Sequence, residues 1–113
     1  MLPKKHKLKK EEFAGLQKWK SFSSPHLTLR VHEVSRAGAS KFSFVVSKKV
    51  SPKSTARNTL KRFGYRAVRE VITKTKKGIL CAFFFKTGSK EPLSYKTTRE
   101  EVLYLLEKSR VLL

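Results

Sequence analysis

At 113 residues the chain has room for one domain with one modest core, and residues 1–113 are read as that single unit. Lys and Arg number 27 against 8 acids, every one of them Glu, and a domain carrying a formal +19 repels itself unless a polyanion is its partner. Disorder is excluded by eight Phe, three Tyr and one Trp, and a membrane span by a longest apolar run, Ile79 to Phe85, far below the roughly 20 residues required. Nucleic acid is the first choice of polyanion and an anionic membrane surface a distant second. The single Cys81 permits no internal disulfide, fits a reducing cytoplasm and reads as a core thiol.

Met1 to Lys10 is a basic leader with Lys4, Lys5, Lys7, Lys9 and Lys10, charged but without the apolar stretch of a secretory signal. It is either a solvated terminus, residues 1–9 being flexible, or an arm that orders on phosphates. From Glu11 to about Lys20, Phe13 and Leu16 recur at helical spacing, and Glu11 and Glu12 suit the positive end of a helix dipole. Ser21 to Pro25 is a cluster of breakers. His26 to Val34 then alternates, with Leu27, Leu29 and Val31 on one face and Thr28, Arg30 and His32 on the other, the pattern of a half-exposed strand. Ser35 to Lys41, containing Gly38, reads as a hairpin loop into a second strand, Lys41 to Ser47, with Phe42, Phe44 and Val46 on one face and Ser43, Val45 and Ser47 on the other.

The stretch Ser47 to Glu70 opens on the basic pair Lys48 and Lys49, turns at Pro52, and reads as a helix from about Thr55 into the mid-seventies. At 100° per residue, Leu60, Phe63, Gly64, Ala67 and Val71 gather on one side. Asn58, Lys61, Arg62, Tyr65 and Arg69 gather on roughly the opposite side, with Arg57 and Arg66 at the edges. Only Glu70 interrupts the positive charge, whereas a merely solvated helix face mixes signs for i,i+4 support. Arg57 to Arg69 covers about 18 Å of axis, comparable to several phosphates along a strand. Gly78 is placed to cap the helix C-terminus, where Lys74, Lys76 and Lys77 suit the dipole.

Ile79 to Lys86 is apolar on both faces and so reads as a central strand covered on both sides. Thr87 to Tyr95 is a polar loop with Gly88 and Pro92. In the last helix Thr97 or Thr98 is the expected cap, Glu100 or Glu101 completes a capping box, and Val102, Leu105, Leu106 and Leu112 form the apolar stripe. The fold class that results is α+β, a small sheet with helices packed on it. A strand–helix–strand unit from Phe42 to Phe85 invites a parallel crossover.

The inventory for catalysis is empty. A two-cation nuclease needs clustered carboxylates, and Glu11-Glu12 and Glu100-Glu101 read better as first-turn helix acids. His26 and His32 share a strand face but lie about 20 Å apart, too far to act on one phosphate. One Cys leaves no zinc spacing, and there is no phosphate-cradling glycine loop and no Ser/His/Asp arrangement. No catalytic and no metal-ligating residue is therefore assigned. What the chain offers instead is cations that neutralise phosphates and a sheet on which aromatics can stack unpaired bases.

Ser47-Lys48-Lys49-Val50, followed by Arg57-Asn58 and Lys61-Arg62, resembles the signature of the bacterial ribonuclease P protein family, where a Ser-Lys-Lys segment ends a strand and an Arg-Asn-Arg-x-x-Lys-Arg helix follows. Leu8 and Phe13 in a basic leader, and the strand–helix–strand–helix order, extend the resemblance over most of the chain. Thr59 stands where the second arginine of the motif is expected, Tyr65 stands at a position often basic, and the loop between Lys49 and Arg57 is one residue longer.

The resemblance implies a ribonuclease P protein-like sandwich with a left-handed crossover, against the right-handed preference of about 98%. It implies the small subunit of a ribonucleoprotein endonuclease that removes the 5′ leader of precursor tRNA, in the cytoplasm. The RNA subunit performs the hydrolysis with Mg2+, none being bound tightly by the protein. The partners implied are ribonuclease P RNA and precursor tRNA, with no membrane and no small-molecule substrate. Lys48, Lys49, Arg57, Asn58, Lys61 and Arg62 would meet the catalytic RNA, and Arg66 and Arg69 extend that face by geometry; Asn58 either contacts RNA or braces the helix start. Phe13 would line a cleft that guides the leader. The alternative, a ribosomal-protein-like or generic RNA-binding module with no part in cleavage, explains charge and fold but not the joint spacing of Lys48-Lys49, Arg57-Asn58 and Lys61-Arg62.

Overall fold

In a computed structural model describing residues 19–33, 40–86 and 93–112, the apolar run Ile79–Phe85 is the strand on which the others assemble. In chain order the elements are β1 (Lys20–Ser23), β2 (Leu27–Glu33), β3 (Lys41–Val45), α1 (Ser54–Val71) with a 3-10 turn (Ile72–Lys74), β4 (Ile79–Phe85) and α2 (Tyr95–Lys108). The sheet order is β1-β2-β4-β3, with β4 antiparallel to β2 and parallel to β3. Side chains of β4 are buried on both of its faces, Ile79, Cys81, Phe83 and Phe85 toward the helices and Leu80 and Ala82 on the other side, which is why its sequence shows no alternation.

Every second residue of the three long strands points at the helices. Leu27, Leu29 and Val31, Phe42, Phe44 and Val46, and Ile79, Cys81, Phe83 and Phe85 meet Ala67 and Val68 of α1 and Val102, Leu105 and Leu106 of α2 in one buried cluster. Each Val, Leu, Ile or Phe side chain among them contributes about 1.5–3 kcal/mol on leaving water. Cys81 is fully buried, and burial pushes its thiol far above the usual range, so it packs as an inert hydrophobe. Gly64 sets how close α1 lies to the sheet. A Cβ built there would stand 2.4 Å from the Phe44 ring, so only glycine lets that ring touch the helix backbone.

The ends of α2 are specified in detail. The Ser94 hydroxyl accepts from the Thr97 backbone N–H at 3.2 Å. At the other end Arg110 adopts φ 63°, Arg110 N donates to Glu107 O at 3.0 Å, and Val111 N donates to Leu106 O at 3.0 Å. These are the two bonds of a Schellman close, with Val111 and Leu106 both buried beneath it.

The sheet and its parallel β3–α1–β4 connection match the α+β expectation, and several local readings do not survive. Ser35 to Lys41 is not a β2–β3 hairpin loop, because β4 lies between those strands; turn composition reports a reversal, not which edges pair. The breaker cluster overlaps β1 over Ser21 to Ser23, a strand held by its register against β2 from Lys20↔Val31 to Ser23↔Thr28, with only Phe22 turned to the core. Gly78, at φ 73°, serves the turn into β4 and does not cap α1, which ends at Val71. The last helix starts earlier than expected, so Ser94 and not Thr97 or Thr98 is its cap, and Leu112 lies beyond it in a bridge to Thr75. The expected first helix with Phe13, and the leader 1–9, fall outside the described residues, while Lys20 opens β1.

Candidate nucleic-acid interface

With Gly64, Ala67 and Val68 held against the sheet, the opposite side of α1 must face outward, and Asn58, Arg62, Arg66 and Arg69 are exposed there. Lys48 and Lys49 are exposed in the turn that leads to the helix. That turn is closed by Val50 N donating to Ser47 O at 3.0 Å and anchored by Val50 packing against the core. The first turn of α1 has neither an acidic residue nor a side-chain cap. Its N–H groups and dipole thus add to the positive field of Lys48, Lys49 and Lys53.

Two predicted contact residues sit differently from the helical-wheel reading. Arg57 is half-buried and turns back, its Nη1 donating to the carbonyls of Ser51 and Pro52, each at 2.9 Å. Its immediate work is bracing the loop that presents Lys48 and Lys49. Lys61 is half-buried on the flank nearer the core side, not in the middle of the exposed face. Thr59, at the position of the motif's missing arginine, donates its hydroxyl to Thr55 O at 3.0 Å and adds no charge. The six candidates Lys48, Lys49, Asn58, Arg62, Arg66 and Arg69 therefore form the outward surface, with Arg57 and Lys61 behind it.

The acids near this surface are engaged elsewhere. Glu70 accepts from Arg99 Nε at 3.0 Å and from the Tyr95 hydroxyl. The Tyr95 hydroxyl bond, with Arg99 and Arg66 close by, holds its carboxyl below the usual range. The Arg66 guanidinium lies 4.2 Å over the Tyr95 ring. Glu101, expected as a capping acid, is buried instead. It accepts from Ser24 Oγ at 2.5 Å, His26 N at 2.7 Å and His26 Nδ1 at 2.6 Å. Burial alone would raise its carboxyl, but the bonds from Ser24 and His26 outweigh that and lower it. Among the described residues no carboxylate is bonded to any of the six outward candidates.

The sheet face turned away from the helices is a second surface that the periodicity reading did not single out. Leu80 and Ala82 are buried there with Trp19 and Phe84 against them. The Arg30 guanidinium lies 5.2 Å over the Phe84 ring, and Trp19 meets His32 at 5.7 Å between ring centroids. The signal existed in the alternation of Thr28, Arg30 and His32. It became a surface only once the β2–β4 register placed Arg30 opposite Ala82 and Thr28 opposite Phe84. No three of His, Cys and Glu stand together as metal ligands among the described residues, and no described helix is long and apolar enough to cross a membrane.

Residues 2–110 match the family model described as Ribonuclease P. The chain is 32% identical over 116 residues to the ribonuclease P protein component of Microcystis aeruginosa, covering 98% of this chain and 96% of that one. Among solved structures it superposes on the Staphylococcus aureus RNase P protein with a TM-score of 0.83 at 14% identity, covering 96% of this chain and 98% of that chain. On the Thermotoga maritima RNase P protein the TM-score is 0.76 at 24% identity, covering 90% and 96%. These two likenesses are of fold.

Proposed function

The chain belongs to the ribonuclease P protein family, as the subunit that serves the tRNA 5′-processing endoribonuclease, and from that premise we propose that the outward face of α1 docks on the catalytic RNA. Lys48, Lys49, Asn58, Arg62, Arg66 and Arg69 make the contacts, Lys61 flanks them, and Arg57 holds the Lys48-Lys49 turn in place. The observation that carries this reading is the run of exposed guanidinium groups on one helix fixed to the sheet through Gly64, without a bonded carboxylate among the described residues. Cations so arranged displace counterions from phosphates and supply affinity without reading sequence.

The hydrolysis belongs to the RNA. Glu70 and Glu101 already hold tyrosine, arginine, serine and histidine partners, and we assign the Mg2+ to the RNA. The sheet face bearing Arg30, Phe84 and Trp19 suits a single-stranded segment, and we assign it to the 5′ leader of precursor tRNA; Phe13, expected to line the leader cleft, lies outside the described residues. The setting is the cytoplasm.

Reconstitution tests the reading. The pure protein leaves precursor tRNA intact, and adding a bacterial ribonuclease P RNA at low Mg2+ restores cutting at the mature 5′ end faster than that RNA cuts alone. An RNA whose cleavage the protein does not assist would move the chain to the generic RNA-binding alternative. Cutting by the protein alone would place the chemistry on its own residues.

A further inference from the structure

Midway along the basic face, Arg62, Tyr65, Arg66 and Arg69 line an open cleft of about 270 Å³. Tyr65 is three residues after Arg62 and four before Arg69, so the two guanidinium groups flank its ring from adjacent turns. The ring is not a loose surface phenol. It makes a T-shaped contact with Phe44 at 4.9 Å between ring centroids, and Phe44 in turn stacks on Phe83 at 4.6 Å, so the core fixes its plane. Arg66 forms the far wall, leaning on Tyr95. The neighbouring carboxylate, Glu70, is bonded to Tyr95 and Arg99 and does not line the cleft.

A phosphate-only surface has no use for a core-anchored aromatic wall between arginines, whereas a nucleotide uses both. A base stacks face-on upon an aromatic or guanidinium plane, and its phosphates take forked bonds from arginine. The cleft lies at the lower end of small-ligand pockets, roughly 300 Å³, which suits one nucleotide and not a stacked run. Resting on the docking reading above, we propose that this cleft receives one unpaired nucleotide of the RNA on which α1 docks. The base lies against Tyr65, and the flanking phosphates sit on Arg62 and Arg69. A single splayed nucleotide would give the docked helix a fixed register that charge alone does not.

The test uses the full chain in nuclear magnetic resonance titrations with AMP and with ribose 5-phosphate. AMP is expected to bind about tenfold more tightly and to move the Tyr65 ring signals, one base–ring stack being of that size. Tyr65→Phe keeps the preference, and Tyr65→Leu, which retains an apolar contact for Phe44, abolishes it. Equal affinities for the two probes overturn the proposal, and because that comparison is made on the unsubstituted protein it stands even if Tyr65→Leu fails to fold. A second arm measures binding to a bacterial ribonuclease P RNA. Tyr65→Leu weakens it about tenfold with the salt slope unchanged, since a stack releases no counterions. Unaltered RNA affinity in Tyr65→Leu sinks the nucleotide cleft and leaves the docking reading standing; no RNA binding by the unsubstituted protein sinks the docking reading itself.

Discussion

Along α1, Arg62, Arg66 and Arg69 stand exposed with no carboxylate bonded to them among the described residues, whereas on α2 Glu101 is buried beneath three hydrogen bonds from Ser24 and His26. The first region keeps like charges together in water; the second takes one charge out of water and satisfies it completely. The contrast shows how a chain of +19 stays folded. Two of the acids are placed at joints, Glu101 tying α2 to the start of β2 and Glu70 tying the two helices, while Arg62, Arg66 and Arg69 face outward. Self-repulsion is then concentrated on a surface that a polyanion can neutralise.

The strongest way to break the comparison is to unseat α1 from the sheet. Gly64→Ala drives a methyl into the Phe44 ring and is expected to cost about 3 kcal/mol, the upper range for overpacking, read in a urea or thermal melt. A loss below about 1 kcal/mol would show that the helix is not fixed by that contact.

The joint comes next. Glu101→Gln removes the charge from three bonds and is expected to cost about 2 kcal/mol at neutral pH. Because the folded carboxyl titrates below its unfolded value of about 4.3, its contribution is complete above that pH and is lost as pH falls through the lower folded value. The parent should therefore lose stability on acidification below about pH 5, and Glu101→Gln should show a flatter acid limb. Parallel pH–stability curves would remove Glu101 from the account.

The outward face is tested by Arg62→Ala with Arg69→Ala. Affinity for a bacterial ribonuclease P RNA should fall about tenfold, with a salt slope shallower by roughly 2, while stability moves by less than about 0.5 kcal/mol. Arg57→Ala sharpens the point, because loss of its bonds to Ser51 and Pro52 should also cost about 1 kcal/mol of stability. A silent melt for Arg57→Ala would return it to the RNA-facing set. The smallest effect is expected at Arg110, where the left-handed backbone penalises any side chain: Arg110→Gly should raise stability by about 0.5–1 kcal/mol.

What could be read from the sequence followed from periodicity within single elements. The buried strand Ile79–Phe85, the inward Phe42, Phe44 and Val46, and the two-sided helix around Gly64 each announce themselves over a few residues. What could not be read depends on partners distant in the chain. Glu101 passes for an ordinary first-turn acid until folding brings Ser24 and His26 to it across 77 and 75 positions. The tetrapeptide β1 has no strand pattern of its own and exists through its pairing with β2. Arg57 lies on the helical wheel beside the core, and the loop carbonyls that occupy it become visible only in three dimensions.

The sheet order carries a consequence for assembly. The strand at its heart is the last of the four along the chain, so β2 and β3 have no neighbour for their facing edges until the polypeptide beyond α1 has arrived. Nucleation must then await contacts across long separations, which slows a chain of this size. A fragment truncated before Ile79 should be neither a half-built domain nor a free-standing helix, but a cationic coil.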